Sequence, residues 1–164
     1  MTPLKKYWSD IVNVVTTGQR SSMHCAIASV GENGVPNITP IGTVFLRDDQ
    51  TAFFFDTYTS QLAENLKHNP NICLMAVNTK TSFWLSSFLK GKFKSAPGVR
   101  LYGTVGELRE ATGEEVTAIA QRIKPLAWTK GSKLLWSDFT HVRDIQLSDF
   151  RPVQYPKMME HLWN

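Results

Sequence analysis

The side chains that commonly carry out catalysis are not grouped in this sequence. Its four histidines fall on different predicted elements and show no metal-ligand spacing. The chain contains no G-x-S-x-G, no G-x-x-x-x-G-K-S/T, no H-E-x-x-H, and no G-x-G-x-x-G after a strand. We therefore predict no metal site and no catalytic side chain, and hydrolase and kinase functions lose support. The histidines are His24, His68, His141 and His161.

One predicted helix start could bind an anion. Thr59 or Ser60 can accept from the first free backbone N–H groups of a helix that continues through Asn69 and ends at Pro70. Such a helix start has unpaired N–H groups and the positive end of the helix dipole, which together favour phosphate. Plain N-capping explains the same residues without a ligand, so both interpretations stay open.

Short strands joined by tight turns make up much of the chain. Asn33-Gly34 is a strong hairpin signal. The run from Phe53 to Phe55 indicates a strand that is buried on both faces or against a partner. The predicted strands are Cys25 to Val30, Val35 to Leu46, Thr51 to Asp56, Ile72 to Val77, Val99 to Leu108 and Thr140 to Leu147.

Two more helices are predicted. The first begins at Thr2-Pro3 and ends near Gly18. The other opens with a capping box from Thr112 to Glu115 and stops at Pro125. The stretch from Trp84 to Ser95 stays unassigned, and 158–163 is expected to be a short terminal turn.

The order of elements predicts a mainly β protein of the α+β class. Six or seven strands with about three peripheral helices, joined mostly by tight turns, favour a closed or nearly closed barrel. A length of 164 residues fits a single domain spanning 1–164, and no linker or internal repeat divides it.

Composition leaves several partner classes open. The net charge of +4 suits an anionic ligand, a nucleic acid or neither. The densest basic patch, Lys90, Lys92, Lys94 and Arg100, is typical of a solvated loop. Cys25 and Cys73 lie in apolar runs without C-x-x-C spacing, which indicates buried thiols in a reducing cytoplasm. No signal peptide or membrane-spanning run is expected.

The segment from Met23 to Asn78 resembles the pyridoxamine 5'-phosphate oxidase-like family of FMN-binding split barrels. Typical members carry a G-x-P-x-x-T-P-V/I run, an aromatic strand, a T-S-R-K-A-x-N-L helix start and an N-P-x-V/I strand. The matching stretches here are Gly34 to Ile41, Phe53 to Asp56, Thr59 to Leu66 and Asn69 to Ile72. The resemblance implies a split β-barrel of Greek-key type.

The resemblance also implies where a flavin would lie. The strand from Thr39 to Thr43 would run along the flavin ring, and Pro40 and Gly42 suit a close backbone approach. An edge strand with a bulge would tolerate the same two residues. The implied cofactor-binding residues are Thr39, Pro40, Ile41, Gly42 and Thr43 beside the ring, Phe55, Asp56 and Thr57 beside the ribityl chain and phosphate, and Thr59, Ser60, Gln61 and Leu62 at the phosphate.

The chain departs from the family pattern at the helix start. Gln61 and Leu62 replace the usual arginine and lysine. This change removes two charge-assisted hydrogen bonds, each typically worth about 1.5–3 kcal/mol. A bound phosphate would then need the helix end, the hydroxyl groups, or a cation from Lys90, Lys92, Lys94 or Arg100 of this chain or of a partner subunit.

The resemblance implies an FMN-dependent oxidoreductase of undefined small-molecule substrate, acting as a homodimer with flavin at the subunit interface. The alternative is a non-catalytic carrier or sensor of flavin, deazaflavin or haem. A third, weaker hypothesis is a nucleic-acid-binding barrel of the OB type. The favoured interpretation expects neither a nucleic acid nor a membrane as partner. Trp128 and Trp136, flanked by basic residues, are further candidates for contact with a ligand.

Overall fold

A computed structural model describes residues 3–135 and 138–163 of the chain. Its eight strands form a single antiparallel sheet, in the order β2-β1-β5-β6-β8-β4-β3, with β7 paired to β8. The sheet curls into a half-barrel, which confirms the predicted α+β split barrel. The strands are β1 (Cys25–Val30), β2 (Pro36–Ile41), β3 (Val44–Leu46), β4 (Thr51–Phe55), β5 (Asn71–Val77), β6 (Gly98–Val105), β7 (Arg109–Glu110) and β8 (His141–Pro152).

The described residues contain seven α-helices and one short 3-10 helix, Lys124–Leu126. About three helices were predicted. The first of these is broken at Tyr7, and three others were not foreseen as helices. The helices are α1 (Pro3–Lys6), α2 (Trp8–Ser22), α3 (Ser60–His68), α4 (Thr81–Lys90), α5 (Gly113–Ile123), α6 (Lys130–Leu135) and α7 (Pro156–Met159).

The structure has eight strands where six or seven were expected, because one predicted strand is broken and one short strand is added. The predicted strand from Val35 to Leu46 leaves the ladder at Gly42 and Thr43, which gives β2 and β3. The two-residue strand β7 pairs Arg109 with Val142 of β8. The predicted Asn33-Gly34 turn is confirmed, since Gly34 has a φ of 77° and its N–H donates to the carbonyl of Gly31.

Two apolar clusters fill the molecule, and strand β4 contributes to both. Phe54 lies in the main core together with Ile11 and Val15 of α2, which packs on the inner face of the sheet. The second cluster lies on the other face of β4, where Phe53 and Phe55 are buried against α5 and β8. Strand β4 is therefore covered on both faces, as its three consecutive phenylalanines predict.

An ion-pair cluster holds α5 in place over β4. Arg109 and Arg47 both bond to the carboxylates of Glu115 and Asp144, at N···O distances of 2.6–2.9 Å. Glu115 also completes the predicted capping box, because its carboxylate accepts from the backbone N–H of Thr112. Four charges from β3–β4, β7, α5 and β8 thus meet at one point.

These ion pairs depress the pKa values of both carboxyl groups. Hydrogen bonds from Arg109 hold the pKa of Asp144 below its usual range, with a further contribution from Arg47 and partial opposition from burial. Burial is the largest influence on Glu115 and raises its pKa, yet the bonds from Arg109, Thr112 and Arg47 together lower it. A carboxyl group whose pKa is lower in the folded than in the unfolded state stabilises the fold at pH values above its unfolded-state pKa. That stabilisation is lost as the pH falls through the folded-state pKa.

Replacing Asp144 by asparagine should lower the unfolding free energy at pH 7 by about 1 kcal/mol, because the carboxylate is nearly half exposed and solvent screens it. The variant should also lose less stability than the wild type between about pH 5 and pH 2, where the depressed carboxyl group of the native chain becomes protonated. Urea denaturation across this range measures both effects. The exposed Asp48→Asn serves as the matched control, and equal pH slopes in all three proteins would contradict the assignment.

Candidate functional site

The predicted ring-binding strand meets the segment predicted beside the ribityl chain and phosphate through Thr43. The Thr43 hydroxyl accepts from the backbone N–H of Phe55 at 3.1 Å and lies 3.3 Å from the Phe55 carbonyl, to which it donates. Both residues are buried. The loop after β2 is therefore fixed to the end of β4, only a few residues before α3 begins. We call this junction of the β2–β3 loop, the end of β4 and the start of α3 the corner.

The β2 side of this corner presents backbone rather than reactive side chains. Ile41 is buried in the core, while Pro40 and Gly42 are exposed. Strand β2 forms one edge of the sheet and pairs only with β1 among the described strands. Its outer backbone groups are available to a flat ligand, as both the edge-strand and the ring-binding interpretations require. Thr39 is half-buried and its hydroxyl accepts from the Asn37 amide at 3.0 Å.

Asp56 is engaged in a buried ion pair. The Arg143 Nε atom lies 2.5 Å from the Asp56 carboxylate, and both side chains are mostly buried. The Thr59 hydroxyl donates to the same carboxylate. Because Asp56 already has a cation and a hydroxyl as partners, its role here is to fix the loop through Thr57 that leads into α3.

The start of α3 has free backbone donors but no side-chain cap. Thr59 occupies the N-cap position, yet its hydroxyl turns to Asp56, so the prediction that Thr59 or Ser60 caps the helix is wrong. No hydrogen bond in ranges 3–135 and 138–163 occupies the N–H groups of Ser60, Gln61 or Leu62. The nine-residue helix thus offers unpaired N–H groups and its positive dipole end at this corner.

Gln61 and Leu62 serve α3 in different ways. The Gln61 amide donates to Asn65 at 2.9 Å, and the buried Asn65 donates to Ser29 of β1 at 3.0 Å. The Leu62 side chain is 0% exposed and belongs to the main core. Leu62 therefore offers no side chain to a ligand, which narrows the role predicted for it.

Two arginines near the corner were not among the predicted site residues. Arg143 of β8 reaches the α3 start through Asp56. Arg122 of α5 donates to the carbonyls of Gly42 and Val44, and its guanidinium carbon lies 3.5 Å from the ring centre of Phe45. Burial of this guanidinium lowers the pKa of Arg122 to about 10, so the group stays charged at neutral pH. Neither position carries a local sequence signal, because both depend on pairing between distant segments.

The lysines suggested as replacement cations lie elsewhere in this chain. Lys90, Lys92 and Lys94 are exposed at and beyond the end of α4, and Arg100 lies on β6. Among the described residues, none of them forms an ion pair or hydrogen bond with the α3 start. A contribution from a partner subunit stays a prediction.

A groove of about 330 Å³ borders α3 on the side of the β1–β2 turn. Its walls include Glu32 and Glu64, so it does not favour an anion. Of the described residues, no three of the His, Cys, Asp or Glu type are grouped to hold a metal ion. The other lining residues are Gly31, Asn33, Gln61, Asn65 and His68.

The segment after α5 also reaches the corner. The Tyr58 hydroxyl donates to the carbonyl of Leu135 at 2.9 Å, which places the end of α6 beside the loop between β4 and α3. Trp128, a suggested ligand contact, is 80% exposed. Trp136 lies outside the described residues.

Comparison with known proteins places the fold. A model of the family described as pyridoxamine 5'-phosphate oxidase matches residues 17–146. Among solved structures, an FMN-binding protein from Syntrophomonas wolfei subsp. wolfei is 16% identical, with a TM-score of 0.62, covering 92% of this chain and 95% of the other. No curated protein matches the sequence.

Other structures of similar fold are named for different ligands. HutZ, the haem storage protein from Vibrio cholerae, is 12% identical, with a TM-score of 0.57 and coverage of 87% of this chain and 94% of its own. A protein named F420 reductase is 16% identical, with a TM-score of 0.54 and coverage of 85% and 94%. At these identities the similarity concerns the fold alone.

The corner should depend on the Thr43 hydroxyl. Thr43→Val keeps the shape but leaves the buried Phe55 N–H without an acceptor, so the unfolding free energy should fall by about 1–3 kcal/mol. The exposed Thr104→Val on β6 is the matched control and should change stability little. If denaturation finds the two variants equally stable, the Thr43 hydroxyl does not hold the corner together.

Proposed function

The chain belongs to the pyridoxamine 5'-phosphate oxidase family, and on that premise we propose that it binds FMN at the corner between β2–β3 and the start of α3. The observation that carries this proposal is the pair of contacts between Thr43 and Phe55, which brings the two segments implied for the ring and the phosphate together. The flavin ring would lie along Thr39 to Thr43, with its phosphate at Ser60 to Leu62.

The residues present fit a phosphate, although with fewer charges than in typical family members. The free N–H groups of Ser60 and Gln61 and the dipole of α3 supply donors and a favourable field. The basic side chain of Arg143 is connected to this helix start through Asp56, but its charge is already neutralised by the Asp56 carboxylate. Phosphate affinity should therefore depend mainly on the backbone.

Bound FMN would supply hydride or electron transfer, and the protein would supply orientation and exclusion of water. We accordingly propose an oxidoreductase whose substrate is a small molecule. The absence of catalytic motifs in the sequence agrees with chemistry carried by a cofactor. Cys25 and Cys73 are both free thiols, which supports a location in the reducing cytoplasm.

A homodimer would use the outer face of the sheet. Register places Ala28 beside Ile38 and Cys73, and Ala26 beside Pro40 and Met75, on the face opposite the core. Ile38 is 71% exposed. This surface of small and apolar side chains adjoins the β2 edge, so a second copy seated on it would also close over the proposed flavin site.

A non-catalytic binder of deazaflavin, flavin or haem is the second candidate. The observation in its favour is the missing basic pair at Gln61 and Leu62, which weakens the case for a dedicated FMN phosphate clamp. Two proteins of similar fold are named for other molecules, one as a haem storage protein and the other as an F420 reductase.

Absorption spectroscopy of the purified protein, with mass spectrometry of the released ligand, tests the proposed function. We expect flavin absorbance that a reduced nicotinamide bleaches. Flavin colour without bleaching would favour the carrier, and a haem Soret band would replace FMN by haem. No binding after reconstitution with excess FMN would falsify the FMN proposal.

Adding a positive charge at the helix start should strengthen FMN binding. We expect Gln61→Arg to lower the dissociation constant about tenfold, since a charge-assisted hydrogen bond adds about 1.5–3 kcal/mol before the cost of ordering the side chain. Fluorescence titration measures it, with the exposed Gln154→Arg as the charge-matched control. Leu62→Lys would bury a charge in the core and is not a usable counterpart. Unchanged affinity in Gln61→Arg would move the phosphate away from α3.

Disrupting the outer sheet face should separate the subunits. We expect Ala28→Arg to convert the dimer to a monomer and to reduce FMN binding, because a long cation on this face prevents close contact between copies. The exposed Ala120→Arg on α5 is the control. Light scattering after gel filtration gives the mass, and a wild-type monomer or a dimeric Ala28→Arg would contradict this interface.

A further inference from the structure

Helix α4 carries an apolar stripe that faces away from the protein. Leu85, Phe88 and Leu89 follow i, i+3, i+4 spacing and are 58%, 62% and 80% exposed. Residues with this spacing share one side of a helix. Three large apolar side chains side by side in water indicate a surface that is covered in use.

The inner side of α4 is firmly attached, so the stripe is held in place. Phe83 stacks on the buried Phe93 with ring centres 5.7 Å apart. The Trp84 ring packs edge-on against Phe93 and Tyr155, and its N–H donates to the carbonyl of Asn78 at 2.6 Å. The aromatic anchors point inward while the stripe points outward.

The helix end is equally well defined. Gly91 has a φ of 64°, and the N–H of Lys92 donates to the carbonyl of Ser87 at 3.1 Å, which closes the last turn. This C-cap starts a short segment that carries Lys92 and Lys94 away from α4.

Positive charges surround the stripe. Four exposed lysines flank it: Lys80 precedes α4, and Lys90, Lys92 and Lys94 end or follow it. The sequence contains no aspartate or glutamate between Asn65 and Gly106, and Asp10 of α2 shares a surface groove with Lys94 alone of the four. The excess of positive charge favours a covering partner that is anionic and accepts apolar side chains.

From this arrangement we propose that α4 binds the surface of an anionic lipid bilayer. Leu85, Phe88 and Leu89 enter the boundary between headgroups and acyl chains, and the lysines contact the acidic headgroups. An amphipathic helix with a basic rim binds membranes in this way without crossing them. Among the described residues no helix has the length and apolar character needed to cross a membrane. The proposal is one of surface attachment, and it departs from the expectation that no membrane is a partner.

The lysines argue against a second copy of the same stripe as the partner. A two-fold contact places a surface against itself. Such a contact on α4 would bring eight lysines together without opposing acids from this stretch. The part of the outer sheet face around Ala26, Ala28 and Ile38 presents small and apolar side chains and suits contact between copies better.

Cosedimentation with vesicles tests the proposal. The protein should bind phosphatidylcholine vesicles containing roughly one-third phosphatidylserine and should not bind pure phosphatidylcholine, because anionic lipid creates the attracting surface potential. Raising the salt concentration should weaken binding. Equal sedimentation with both vesicle types, or with neither, would overturn the proposal.

Two pairs of matched variants locate the contact. Phe88→Ser/Leu89→Ser should weaken vesicle binding about tenfold or more, whereas the exposed Leu108→Ser/Val116→Ser should not. Vesicle binding should weaken by a similar factor in the triple variant Lys90→Gln/Lys92→Gln/Lys94→Gln. It should be retained in the control of equal net charge, Lys124→Gln/Lys130→Gln/Lys133→Gln. Equal losses in the controls would reduce the interaction to general charge or hydrophobicity and refute a site on α4.

The same preparations separate the alternatives. Oligomeric mass should not change in the α4 variants, and bound flavin should not change in Phe88→Ser/Leu89→Ser. A loss of flavin from the lysine triple would place these lysines at the cofactor, and a change of mass would assign the stripe to contact between copies. Binding to polyglutamate but not to vesicles would assign it to an acidic protein. Each of these results would overturn the lipid proposal, whereas the outcome of FMN reconstitution has no bearing on it.

Discussion

The three consecutive phenylalanines of β4 impose the constraint on which the architecture depends. Alternating side chains of a strand point to opposite faces, so Phe54 and its neighbours cannot share one core. Phe54 enters the main barrel core, and Phe53 and Phe55 require a second cover. Helix α5 provides that cover, and the cluster of Arg47, Arg109, Glu115 and Asp144 holds it there.

The candidate site follows from the same constraint. Because β4 is buried on both sides, its end is a fixed point, to which Thr43 and the Asp56–Arg143 pair are attached. Contacts within the protein therefore fix the loop after β2 close to the start of α3. Covering β4 with α5 also brings Arg122 to the carbonyls of Gly42 and Val44. A core-packing requirement thus positions the polar groups.

Local signals made much of this predictable from the sequence. The Asn33-Gly34 turn, the Thr112 capping box and the end of α3 before Pro70 each rest on neighbouring residues. Helix α4 escaped prediction because its outward stripe and inward aromatics leave no simple apolar face. The Thr59 hydroxyl was assigned to a cap but turns to Asp56, and the roles of Arg122 and Arg143 depend on pairings across the sheet that one sequence does not reveal.

The departure at Gln61 and Leu62 acquires a structural explanation. Leu62 fills the core and Gln61 joins a hydrogen-bonded chain through Asn65 to Ser29, so both residues attach the first turn of α3 to the sheet. A lysine could not occupy the position of Leu62 without moving the helix. Where the family pattern has an arginine and a lysine, this chain has a helix start anchored to the sheet, with unpaired backbone N–H groups. Such a site can bind a phosphate with less charge because few groups must be ordered when the ligand arrives.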